Sequence, residues 1–461
     1  MCKSIFLSLA LVLATGMLWA QSEETSFGAT GRGGTATSFV TDYQAIGINP
    51  ANLGFETDYG FAIGTAEVGF GVFSDALVKE EVLDILNGND SITPDEQLTL
   101  AKEFLDAGIT MHLDVMPLGF SVRLGQLGTF GFAIKGNMAY HTRFAGQAAN
   151  IVWEGYNYAE YIDTVIWDGA TFYGIAYEPL SIGELFEDTE ISLNASTEFN
   201  FAYGRKIFGS EESISLYGGI GYKYILGLAY LDLNSENGSF TGKAALGMDL
   251  IELEPGETPS EITTSPYAPV GRGHGFDLGV SMKIRDGLTF GVSLVDIGSV
   301  TYTVNVLTIH DFTLDTVAFS GLTSTNPLEL VSQLLGDEQL IEYTGAESLT
   351  AQLPTKLRMG GSVKLSDILD VGIDAVFPTN KVPGNYITPV LGIGAQLRLI
   401  KFLKLSAGIS AGGGYAYNMP GGVGVDLGLW EAGIATRDMM TWFGRESPTV
   451  SVAFGFLRFK I

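Results

Sequence analysis

The residues able to do chemistry are few and scattered. Four histidines stand at His112, His141, His274 and His310, with no i, i+4 pair and no cysteine beside them. Zinc sites need ligands gathered at short spacings, so this pattern gives no metal site. The glycine-rich pieces Gly31 to Gly34 and Gly412 to Gly414 lack the lysine of a phosphate-cradling loop. They also lack the strand-to-helix setting of a dinucleotide fold. Ser38, Asp42 and the dispersed carboxylates share no spacing that marks a triad or an acid pair. The expectation is a non-enzyme with no catalytic residue, no cofactor and no metal.

Composition turns the question from chemistry to surroundings. The 461 residues carry a formal net charge of -27, from 25 Lys plus Arg against 52 Asp plus Glu. Phosphate contacts need a basic face, so a nucleic-acid partner is excluded, and so is a polybasic patch for anionic lipid. Yet 46% of residues are apolar, 11% are aromatic, and there are 60 glycines. Such a chain is too apolar to be disordered. Residues 1–20 read as a secretory signal peptide, with Lys3, an apolar stretch from Ile5 to Trp19, and Ala20 before the cleavage point. Cys2 is the sole cysteine, so the mature chain has no disulfide or thiol site. Past this segment no apolar run reaches the roughly 18 to 20 residues of a membrane-spanning helix. Alternation must therefore distribute the apolar content.

The alternation is legible residue by residue. Phe130, Phe132, Ile134, Met138 and Tyr140 fall on one face; Ala133, Lys135, Asn137, His141 and Arg143 fall on the other. Phe276, Leu278 and Val280 alternate with Asp277, Gly279 and Ser281, and the run ends on Lys283 and Arg285. Leu357 and Met359 alternate with Lys356 and Arg358. A soluble β-sandwich also has one apolar face per strand. The signal segment and the length of the strand series favour an all-β, transmembrane antiparallel barrel over residues 59–461. Aromatics near strand ends, as at Tyr140, Tyr222, Tyr224 and Phe377, match interfacial girdles.

Candidate strands run at 59–74, 110–124, 128–143, 191–206, 213–231, 274–285, 287–303, 354–365, 368–378, 387–399 and 402–413, with 421–429, 432–442 and 448–461 closing the series. An even number is required if both chain ends lie in the periplasm, which gives about 14. Long connections at 75–109, 144–190, 232–273 and 304–353 read as external loops, and 236–251 as part of one. Short turns at Gly125 to Leu127, Asp286 to Gly287 and Ser366 to Asp367 read as periplasmic. Thr93, Pro94 and Glu96 open a loop helix that is expected to cover the barrel mouth, and 327–341 carries a second helical stripe. The last strand offers two registers, one placing Phe454 and Phe456 on the apolar face and the other Phe459 and Ile461.

Residues 21–58 are polar, glycine-rich and poor in alternation, as a periplasmic tail or a hatch folded into the lumen would be. Asn49-Pro50 favours a fixed turn. The pattern Gly31-Arg32-Gly33-Gly34-Thr35-Ala36, then Asp42, then Asn49-Pro50-Ala51, resembles the N-terminus of FadL-type outer-membrane transporters of hydrophobic compounds. Gly433 to Asp438 and Phe454 to Phe459 resemble an uncharacterised branch of such barrels. The resemblance implies a 14-stranded barrel plugged by an N-terminal hatch, with Arg32, Asp42, Asn49, Pro50 and Ala51 in the lumen.

Passive uptake of a hydrophobic small molecule is the leading expectation. Its capture loop would be the aromatic cluster Trp153, Tyr156, Tyr158, Tyr161, Trp167 and Tyr173. A self-packed loop closing the rim is the competing account of that cluster. The alternative function is a non-transporting scaffold for a secretion or surface protein complex, and an open porin is the third. Expected partners are outer-membrane lipid and the barrel-assembly machinery, besides the small molecule or surface protein. Lys135, Arg143, Asp277, Lys283, Arg285, Lys356, Arg358, Asp374 and Arg398 are the charged lumen candidates, expected to pair with one another.

Overall fold

The structure is a computed structural model that describes residues 25–78, 94–145, 147–210, 213–247, 268–285, 287–318, 320–321, 342–443 and 447–461. The signal segment, the helical stripe at 327–341 and the Thr93–Glu96 capping pair lie outside the described residues.

Fourteen strands close on themselves, each antiparallel to its neighbours. They are β1 Phe61–Phe73, β2 Ile109–Arg123, β3 Thr129–Arg143, β4 Glu190–Gly209, β5 Ile214–Glu236, β6 Gly271–Ile284 and β7 Leu288–Tyr302. The second half is β8 Lys356–Ser366, β9 Leu369–Pro378, β10 Val390–Ile400, β11 Leu403–Gly412, β12 Gly421–Asp426, β13 Trp430–Thr436 and β14 Thr449–Lys460. Closure is direct: β1 pairs with β14 from Ala62↔Lys460 to Phe73↔Thr449. Closing the sheet leaves no edge, which a wall in lipid requires because hydrocarbon cannot hydrogen-bond a free N–H or C=O. Phe130, Phe201, Ile220, Phe276, Val292, Met359, Ile373, Ile393 and Ile409 are exposed on the outer wall. That belt is the lipid-facing surface of a transmembrane barrel.

The two registers of the last strand are both used. Glu431 faces Arg458 while Gly433 faces Gly455, so β14 carries an extra residue between. The bulge falls at Phe456 and Leu457, consecutive residues 51% and 48% exposed. Below it Phe459 points outward, above it Phe454 does, and Arg458 turns into the lumen. Thr65 pairs with both Leu457 and Leu118, so β1, β2 and β14 are irregular at one level. There Ala66, at φ 54°, stands opposite Pro117, which has no N–H to donate.

Residues 25–58 lie inside this wall and are largely buried. The wall admits them because its inward positions are small. A Cβ on Gly219 would lie 2.2 Å from the Pro50 carbonyl carbon, and one on Gly392 would lie 2.1 Å from the Gly33 oxygen.

The expected mouth-covering helix forms, at Pro94–Ala107, but sits elsewhere. β3 and β4 pair without a shift from Thr129↔Gly204 to Arg143↔Glu190. Met138 and Tyr140 therefore share the outward face of Phe130. Leu105 of the helix, Ile151 and Val152 of helix Gln147–Glu154, Ile182, Leu185 and Phe186 pack with Tyr140, Leu193, Leu231 and Leu233 on that outer side. The long connections thus build an outboard lobe against the extended strand ends, and Tyr140 is buried under it rather than placed in an interfacial girdle. Part of the lobe is a three-stranded sheet of Thr164–Trp167, Phe172–Ser181 and Thr313–Val317, which the alternation did not reveal. Segment Ser239–Leu246 extends β5 above the closed wall, outside the fourteen, as expected of an external excursion.

The glycine seat is testable. Gly219→Val is expected to leave the barrel assembled, as heat-modifiable electrophoretic mobility reads it. The displaced hatch should become cleavable by trypsin at Arg32, which is buried in the native protein.

Candidate functional site

The bore has three levels: a cavity at the long-loop rim, the hatch, and cavities at the short-turn rim. The upper cavity, of about 620 Å³, is lined by His112, His141, Arg143, Glu190 and Asp232 of the wall and by residues 381–387. His141 Nδ1 lies 2.8 Å from Thr110 Oγ1, and its Nε2 lies 3.8 Å from Glu190. Among the described residues no three His, Cys, Asp or Glu are grouped to hold a metal.

The hatch is bound to the wall through its own backbone. Lys135 Nζ donates to the Ile46 carbonyl at 2.6 Å, and Ser293 Oγ donates to that of Ile48 at 2.5 Å. Asp374 Oδ2 accepts the N–H groups of Ala36 and Thr37 at 2.9 and 2.8 Å. Asn49, fully buried, donates to Thr37 O and to Ser281 Oγ, and caps the turn at Pro50–Gly54 by accepting from Ala51 N. Arg32 donates to Gln396 Oε1 at 2.7 Å and lies over the Phe39 ring.

Opposite stands an ionic seam. Arg458 Nη2 meets Asp42 Oδ2 at 2.6 Å, and its Nη1 meets Glu431 at 2.9 Å. Tyr59 donates to the same Asp42 oxygen at 2.6 Å. Tyr43 sits against the positions where Gly64 and Gly119 lack side chains, and its hydroxyl donates to Glu67 at 2.6 Å. Gly64, Glu67 and Arg458 flank the irregular level of β1 and β14, so the bulges aim these groups inward. Asp277 and Asp296 form a second cluster, both bonded to Lys223, with Asp296 held at φ 61°.

The predicted lumen residues Arg32, Asp42, Asn49, Pro50 and Ala51 are all buried in the bore. Of the charged candidates, Lys135, Asp277, Lys356, Arg358 and Asp374 are buried at the middle level, Arg143 lines the upper cavity, and Lys283, Arg285 and Arg398 line a lower one. Lys135 and Asp374 bond to the hatch backbone, and Lys283 lies over the hatch ring of Phe55. The aromatic six lie in the outboard lobe. Tyr158 and Tyr161 are buried there, and burial pushes both hydroxyls above their ordinary titration range. Trp167 is 54% exposed and packs on Phe172, 4.7 Å away. None of the six lines the cavities named here.

Reading by strict alternation missed Arg458, which the Phe454 register would send into lipid. It also missed Tyr230 and Tyr302, whose rings stand 5.4 Å apart on the inner wall above the hatch. With Ile225, Val300, Leu349 and Leu353 they make an apolar patch on the lumen side.

Fold and bore define a transmembrane β-barrel plugged by its own N-terminal segment. The chain belongs to the family described as "Family of unknown function (DUF5723)", which matches residues 50–431. No curated protein matches it. Among solved structures it is similar to the toluene transporter TbuX of Ralstonia pickettii, at 13% identity over 95% of this chain and 99% of that one, with a TM-score of 0.48. The P. putida toluene transporter TodX gives 12% identity, 96% and 99% coverage, and a TM-score of 0.46. A Pseudomonas aeruginosa FadL homologue gives the same values, 12%, 96%, 99% and 0.46.

Removing one partner of a buried ion pair strands the other charge, at about 3–5 kcal/mol. Arg458→Gln is therefore expected to loosen the hatch and raise single-channel conductance in planar bilayers severalfold. Adding Asp42→Asn should return part of that increase, since it removes one stranded carboxylate.

Proposed function

We propose that the protein is an outer-membrane channel for passive uptake of hydrophobic small molecules, exported by its N-terminal segment and performing no reaction. The observation that carries this reading is the Tyr230–Tyr302 patch. It lies on the lumen side between the upper cavity and the hatch, on the apolar side of a pocket where Gly47 of the hatch, Val300, Ala351 and Leu353 face Glu198, Asp296, Lys356 and Arg358. The free space there is about 50 Å³. An apolar cavity of roughly 150 Å³ accommodates benzene, so a ring enters only if a neighbour yields. Gly47, at φ 77°, is the hatch residue in contact with that space. On this reading capture belongs to the inner wall, and the outboard aromatic lobe is not needed for it.

The lobe supports a second reading, a scaffold for a surface protein. Val165, Ile166, Trp167, Phe172 and Tyr177 are 45–69% exposed on one hairpin, and clustered exposed apolar side chains mark contact surfaces.

Uptake of the fluorophore N-phenylnaphthylamine by proteoliposomes separates the two. Tyr302→Ala is expected to change the rate at least fivefold, and deleting the hairpin tip 165–172 to leave it within twofold. The reverse pattern would return capture to the lobe. Uptake no faster than in empty liposomes, together with a stoichiometric photocrosslink from position 167 to a protein in intact cells, would establish the scaffold instead.

A further inference from the structure

We propose that the cavity at the short-turn rim, beneath the hatch, is a binding site for small anions bearing carboxylate or phosphate groups. The chain as a whole has twice as many acids as bases, 52 against 25. The lower cavity inverts that ratio: about 500 Å³ in volume, it is lined by Arg123, Lys283, Arg285, Lys364 and Arg398 against Glu56, Asp58 and Asp370. Strand alternation accounts for the gathering. Lys283 follows Ser281, Lys364 follows Ser362 and Arg398 follows Gln396 at the two-residue step of inward positions.

Not all of this charge is balanced by carboxylates. Arg398 pairs with Asp370 at 2.6 Å, and Lys364 pairs with Asp367 at 2.9 Å. Arg123, in contrast, is held by the Phe55 carbonyl of the hatch, and Arg285 makes no ion pair among the described residues. A carbonyl fixes a cation in place without cancelling its charge. An adjoining cavity of about 270 Å³ is also lined by cations, among them Lys404, Arg458 and Lys460. Those three bind Asp42, Asp426 and Glu431 in the seam that holds the hatch. The excess positive charge therefore belongs to the larger cavity.

The opposite end of the bore carries the opposite sign. The upper cavity is lined by Asp188, Glu190, Asp232 and Glu236 against Arg143 and Lys381. A confined, low-dielectric bore focuses such fields, so anions concentrate at the short-turn end and are repelled from the other. This inference does not depend on whether an apolar molecule crosses the barrel.

Isothermal titration of the full-length protein in neutral detergent at low salt tests it, with succinate, inorganic phosphate and uncharged succinamide as probes. Saturable binding of succinate or phosphate, but not of succinamide, is expected, and which of the two binds identifies the head group. The double variant Arg285→Glu, Lys364→Glu alters two rim side chains and is expected to weaken binding at least tenfold. Lys243→Glu with Arg272→Glu, an equal charge change at the long-loop end, should leave binding within twofold. No saturable anion binding, equal binding of succinamide, or equal losses in the two double variants would each overturn the assignment.

Discussion

Everything inside the barrel follows from the need to satisfy a polypeptide backbone threaded through a closed sheet. The wall strands use their own N–H and C=O groups on each other, so none remain for the hatch. The hatch backbone closes many of its bonds on itself in tight turns and finds side-chain partners on the wall for others, among them Lys135, Ser293, Arg123 and Asp374. Each is a polar residue on a lumen-facing position. Each exchanges its hatch partner for water if the hatch leaves, and loses the net contribution of about 0.5–1.5 kcal/mol per hydrogen bond, more for a charge. The polar lumen and the hatch are in this sense one structure.

The same need explains the irregular level shared by β1, β2 and β14. A regular strand assigns every second residue to lipid, and a charge on the lipid face near mid-membrane costs roughly 2–4 kcal/mol. Bulges let one strand present Phe454, Phe456, Leu457 and Phe459 to lipid while Arg458 faces Asp42. The departure from strict alternation is thus what allows an ionic seam at the place where the first and last strands meet.

Much of this was legible in the sequence, and the limits have physical causes. Alternation located all fourteen wall strands, because lipid enforces the period along each of them. It could not choose between two registers in the last strand, since a bulge uses both. It gave no account of the outboard lobe, where apolar residues are buried by helices and short strands rather than by lipid. Met138 and Tyr140 look identical in sequence to lipid-facing residues, and only the covering residues Leu105, Ile151 and Phe186 distinguish them. The hatch pattern around Asn49-Pro50 was readable as a fixed turn. Its seat was not, because Gly219 and Gly392 are ordinary strand glycines until a backbone is found against them.

The attachments of the hatch are unequal in strength, and the inequality has a direction. At the seam, Asp42 is fixed by a buried guanidinium and a phenol, a contact whose disruption strands charge on both sides. Across the bore, the segment from Ile46 to Asn52 is held by one ammonium and by hydroxyl and amide bonds at Ser281 and Ser293. A neutral hydrogen bond contributes only about 0.5–1.5 kcal/mol net and one from a charged group about 1.5–3, against about 3–5 for the loss of a buried ion-pair partner. That more weakly held segment contains Gly47, the hatch residue against the Tyr230–Tyr302 patch. By these polar contacts a partial rearrangement costs less if Asp42 stays on Arg458 while residues 46–48 shift and Asn49 and Pro50 keep their seats on Gly279 and Gly219. Such a shift opens space beside the tyrosine pair without exposing the seam.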